Sequence, residues 1–142
     1  MDIYKIMKTA TIHEGGIWRA EIVLKDFNIK SEIGIEGNVK GPFPAYLETG
    51  QHVLDHLTKY YQEGLKWLRS FIPDTEESPY GLCFIDIIDF TLGNNSVKFP
   101  HENGFIITYD RAFHNGADDF EFHVKFLDYH GFVPVAIEFR HA

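Results

Sequence analysis

His52 and His56 stand four residues apart within Gln51 to Ile72, QHVLDHLTKYYQEGLKWLRSFI, and on a helix that spacing puts both imidazoles on one face. Two imidazoles so placed can hold a metal ion able to activate water. The zinc-protease pattern HExxH is absent, because Val53 follows His52, so a third ligand must come from elsewhere, with Asp55, His123 and His130 the candidates. On the helical projection both histidines lie on the polar flank, where two solvated first-turn side chains are the plainer account.

A second cluster gathers Asp110, His114, Asp118, Asp119, His123 and His130 around the segment HNGADD and its flanks. Imidazoles beside carboxylates can work as acid and base near neutral pH, because an adjacent anion raises the imidazole pKa. The same letters are also turn chemistry, Asn-Gly supplying the positive φ of a hairpin, and that reading is favoured. Cys83, between Leu82 and Phe84-Ile85, reads as an inert buried thiol. Asp86 and Asp89 fall on opposite faces if their segment is a strand, which makes structural carboxylates of them. No phosphate loop, GxSxG elbow or dinucleotide fingerprint occurs. No catalytic residue, metal ligand or cofactor is assigned from the sequence.

Aromatic side chains are the remaining candidates for function. Tyr60, Tyr61, Tyr80, Tyr109 and Tyr129, with Trp18 and Trp67, exceed what a small core requires, and Tyr and Trp anchor interfaces.

The elements that must position these groups follow from periodicity. At roughly 100° per residue, Val53, Leu54, Leu57, Tyr60, Tyr61, Leu65, Leu68 and Phe71 gather on one side, predicting a single long helix over about residues 51 to 72 with Thr49 as its cap. Gly64 lies inside the apolar arc, where a missing side chain suits close contact with a sheet. Tyr4 to Ile12 reads as a first strand, and IWRAEIVL (17–24) with SEIGIEG (31–37) as an antiparallel hairpin. Asn38 to Gly50, with four Gly and Pro residues, reads as an irregular connection.

Beyond Pro73, Tyr80 to Leu92 reads as a strand with a bulge near Ile87-Ile88, Gly93-Asn94-Asn95 as a turn, and Ser96 to Phe99 as its partner. Gly104 to Asp110, Phe120 to Asp128 and Phe132 to Arg140 supply three more strands. Phe120, Phe122, Val124 and Phe126 face one way, and Val133, Val135, Ile137 and Phe139 repeat the pattern. Pro134 marks the last strand as an edge or a bulge. The expected fold is a single two-layer α+β domain over residues 1–142, a mostly antiparallel sheet packed on one long helix.

Composition narrows the function classes. With 44% hydrophobic residues, 13 Phe and 7 Tyr, the chain buries a core of its own. One cysteine precludes an internal disulfide framework and suits a reducing, cytoplasmic compartment; no stretch has the length and apolarity of a membrane span. The formal net charge of -8, without a basic cluster, disfavours nucleic acid and suits a basic protein partner.

The succession of GGIWRAEIVL, SEIGIEG, a helix and FEFHVKFLDYHGFVPVAIEF resembles small uncharacterised bacterial α+β domains, some of them similar to immunity proteins of polymorphic toxin systems. That resemblance rests on element order and carries over no functional residue. It implies an acidic protein that binds without catalysis. The expected function is therefore a non-catalytic protein-binding module, toxin-neutralising or self-associating; a His/Asp hydrolase and a small-ligand binder are the alternatives.

Overall fold

The alternation in IWRAEIVL forms a strand, as does SEIGIEG, and the two pair antiparallel as a hairpin over eight register positions. The computed structural model describes residues 1–91, 98–99, 104–112 and 119–141. In chain order these form α1 (Ile3–Met7), β1 (Thr11–His13), β2 (Ile17–Leu24), β3 (Ile29–Asn38), β4 (Gly41–Pro42), α2 (Pro44–Asp55), α3 (Leu57–Phe71), β5 (Gly81–Ile87), β6 (Phe90–Thr91), β7 (Lys98–Phe99), β8 (Gly104–Ala112), β9 (Asp119–Asp128) and β10 (Phe132–His141).

Among the described residues the main sheet has eight strands, in the order β1-β2-β3-β5-β8-β9-β10 with β4 added to β3. Neighbours are antiparallel except β3 and β5, which run parallel. That one parallel junction is where α2 and α3 intervene, since parallel neighbours need a long crossover. β6 and β7 pair as a separate short ribbon; the turn expected at Gly93-Asn94-Asn95 lies outside the described residues.

The helix expected over 51 to 72 is two helices. His56, at φ -122° and ψ 24°, separates α2 from α3, and its ring explains the break. In an unbroken helix the His52 carbonyl would accept the His56 amide. Here the His56 ring nitrogen Nδ1 occupies that carbonyl at 3.0 Å, and the amide turns to the Val53 carbonyl. α2 begins earlier than expected, at Pro44, whose fixed φ suits a first helical position, so Thr49 lies inside a helix instead of capping one. Of the predicted first strand, Tyr4 to Ile12, the first four residues lie in α1 and only Thr11 and Ile12 in a strand; the Asp2 carboxylate accepts from the amides of Tyr4 and Lys5 at the start of the helix.

The apolar arc of α3 does meet the sheet. Leu57, Tyr60, Tyr61, Leu65 and Leu68 bury against Ile33, Ile35, Ile85, Phe105, Ile107, Tyr109, Phe122 and Phe126, each such side chain stabilising by about 1.5–3 kcal/mol. Gly64 is the closest approach: a Cβ there would stand 2.5 Å from the Tyr109 hydroxyl and 3.1 Å from the Phe126 ring. That hydroxyl donates to the Tyr61 carbonyl at 2.7 Å, so it cannot yield cheaply.

Of the two bulges, the one in β10 lies beside Pro134 as expected and the one in β5 is displaced. In β5 the irregularity falls between Leu82 and Phe84, at Cys83, instead of at Ile87-Ile88. In β10 the register shifts between Pro134 and Ala136. One extra residue reverses the facing of everything beyond it. Phe132 therefore packs on the core before the bulge and Ile137 after it, while Val135 turns to the opposite face beside Phe90, Ile106 and Leu127.

Candidate functional site

The two helix histidines are engaged with each other and with the core. Their rings lie 4.6 Å apart, and His52 Nε2 is 2.8 Å from the Tyr60 hydroxyl with the Phe132 ring 5.4 Å away. Burial, and next the neighbouring His56, lower the His52 pKa. Asp55 accepts from Gln51 at 2.8 Å. His123 lies on the far side of the sheet, and His130 occupies the β9–β10 turn at φ 54°. Among the described residues, no three His, Cys, Asp or Glu side chains gather as a metal site.

The second expected cluster is spread along strands. Asp110 stands opposite Gly81 and Glu121, and His123 Nε2 is 3.1 Å from Glu121 Oε2. His130 follows Asp128, which is itself ~17 Å from His123 along an extended strand. His114, Asp118 and the side chain of Asp119 lie outside the described residues.

The sheet face away from the helices holds ion pairs. Arg19 donates to Asp86 at 2.9 Å and lies 4.8 Å over the Phe84 ring. Burial raises the pKa of Asp86, which is 8% exposed, and the Arg19 charge opposes that rise. Asp89 accepts from the Tyr46 hydroxyl at 2.8 Å. Nearer the margin, the buried Lys125 ammonium donates to Glu138 at 2.9 Å, and Arg140 donates to the same carboxylate at 2.7 Å. Those two donors hold the Glu138 pKa at about 2. Cys83 is half-buried where a buried thiol was expected; burial, reinforced by Asp110, Glu121, Asp86 and Glu32, pushes its thiol up to about 12, which disfavours the thiolate at neutral pH.

Among the exposed large apolar side chains, Phe71 closes α3 and Val133 and Phe139 lie on β10, while Met1, Tyr4, Ile12, Val23 and Val39 are exposed elsewhere. β10 is a margin of the sheet: among the described residues no strand pairs with its outer side. Phe139 stacks on Phe120 at 4.7 Å and meets Phe122 edge-on at 5.3 Å, yet remains 53% exposed. Phe71, 63% exposed, meets Trp67 edge-on at 5.2 Å. Trp67 with Val133 and Pro134 lines a shallow groove of about 350 Å³, rimmed by Glu63, Lys66 and Ser70. Rigid aromatics inside a charged rim are what a protein contact uses. A wider groove of about 800 Å³ runs beside α3, but its lining mixes Lys25, Lys59 and Lys66 with Asp26, Asp55 and Glu63 and presents no convergent set.

Of the aromatics expected at the rim, Tyr60, Tyr61, Tyr80 and Tyr109 are core residues, Trp18 donates to the Asn38 carbonyl, and Tyr129 is exposed in a turn. Sequence reasoning placed Phe71 on the buried arc of the helix and Phe139 in an alternating strand face, yet both are exposed; Pro134 marked the strand carrying Phe139 as a margin. Comparison with known protein families, with curated proteins and with solved structures finds no match. Among the described residues no helix is long and apolar enough to cross a membrane.

Proposed function

We propose that the chain acts by binding another protein along β10 and the adjoining side of α3, without catalysis. The observation that carries this reading is Phe139, held by the rings of Phe120 and Phe122 on a margin with which no described strand pairs, and still half exposed. A strand margin offers main-chain donors and acceptors to a second strand, and pre-ordered aromatics lose little entropy on contact. The similarity of element order to bacterial domains, some of them similar to immunity proteins, makes neutralisation of a toxin one form of the role.

Native mass spectrometry of the protein isolated from its host tests the reading. The expected spectrum contains a dimer or a complex of defined mass, lost in Phe71→Asp/Phe139→Asp while circular dichroism stays that of the parent. Losing one central aromatic anchor costs about 2 kcal/mol or more, some 30-fold in affinity. A parent that remains a bare monomer overturns the proposal.

A further inference from the structure

On the reading that β10 is a contact surface, we infer that its partner is a second copy of this chain, joined by antiparallel β10–β10 pairing about a two-fold axis at Phe139. Residues that face each other across an antiparallel pair lie on the same side of the sheet. A two-fold axis perpendicular to the sheet can therefore centre only on a residue, never between two, which leaves few registers. Pro134 has no amide proton, and the bulge at Val135 disrupts the ladder, so pairing is confined to residues 136–141.

The centres that remain are Ile137, Glu138, Phe139 and Arg140. An axis at Ile137 sets Phe139 opposite Val135, which faces the other side of the sheet. An axis at Glu138 opposes two identical carboxylates and one at Arg140 two identical guanidinium groups, both destabilising. An axis at Phe139 places each Glu138 opposite the Arg140 of the other copy, twice by symmetry, and sets the two Phe139 rings against each other on the helix side. Glu138 and Arg140 are two residues apart, share a face and carry opposite charge, which makes this segment complementary to itself. Arg140 is exposed enough to exchange its own Glu138 for its partner's, while Lys125 keeps its hold on the carboxylate.

Cysteine scanning reads the register directly. In a Cys83→Ser background, Ile137→Cys, Glu138→Cys, Phe139→Cys and Arg140→Cys are made singly and oxidised. Only Phe139→Cys should give a covalent dimer readily, its two Cα atoms being ~5 Å apart at the axis. The two copies of the thiol in Glu138→Cys, or in Arg140→Cys, would sit on Cα atoms about 8 Å apart, beyond disulfide reach. In sedimentation equilibrium the parent should be a dimer, and Arg140→Glu, which brings carboxylates together at both pairs, should raise the dimer dissociation constant ~10-fold or more.

Cross-linking strongest at another position, or Arg140→Glu leaving the dimer intact, overturns this register while leaving a protein-binding chain. A monomer that binds a different protein through Phe71 and Phe139 overturns the second copy as partner and leaves the functional reading standing. A bare monomer overturns both.

Discussion

Asp86 and Glu138 make nearly the same contact and behave oppositely. Each accepts from a cation at 2.9 Å on the same side of the sheet, yet burial raises the Asp86 pKa while Lys125 and Arg140 hold Glu138 at about 2. The difference is position. Asp86 lies in the middle of the sheet, where removing a carboxylate from water costs more than one guanidinium returns. Glu138 lies at the margin, where water still reaches it and two donors add their hydrogen bonds. The inner pair is governed by burial and the outer one by its two donors.

The largest test of that contrast is Arg19→Ala, which strands the Asp86 carboxylate. It should lower the unfolding free energy by about 3 kcal/mol in urea denaturation, whereas Arg19→Met with Asp86→Leu should recover to within about 1 kcal/mol of the parent. A single variant as stable as the parent would erase the distinction.

The pH dependence is smaller and has two signs. Asp86, with a folded value above its ordinary 3.8, contributes stability that declines as pH rises from 3.8 through the raised value. Glu138, depressed from 4.5 to about 2, contributes stability that is present above 4.5 and is lost as pH falls towards 2, reduced by solvent screening. Carbon-detected titration of the two carboxyls should bracket the ordinary range from both sides, and Asp86→Asn should steepen the rise of stability with pH. The smallest effect on the fold is Arg140→Ala, within about 0.5 kcal/mol by urea denaturation, because an exposed pair contributes little.

Much of the sheet was legible in the sequence because period-two alternation is local. IWRAEIVL and FEFHVKF each declare their inner faces without reference to distant residues, and Gly64 announced a close contact by lacking a side chain where one was due. The remainder depended on competition or on distance. The break at His56 arises because one ring nitrogen outcompetes an amide for the His52 carbonyl, which helical periodicity cannot register. Asp2 turned Tyr4 to Met7 into a helix through a cap, against a weak alternation. Tyr109 is interior because its hydroxyl finds the Tyr61 carbonyl, 48 residues earlier in the chain, a contact that only strand order reveals. The candidate surface was half legible: Pro134 marked the margin, but the bulge at Val135 inverted the facing of half its strand.

The two sides of the sheet also differ in what they allow to grow. β1 spans three residues and pairs only with Ile17, Trp18 and Arg19, while α1 packs against the same strand β2. On that side β1 leaves residues 20–24 of β2 without a strand partner among the described residues. With β10 paired as proposed, further growth would have to start from that shorter margin beside α1.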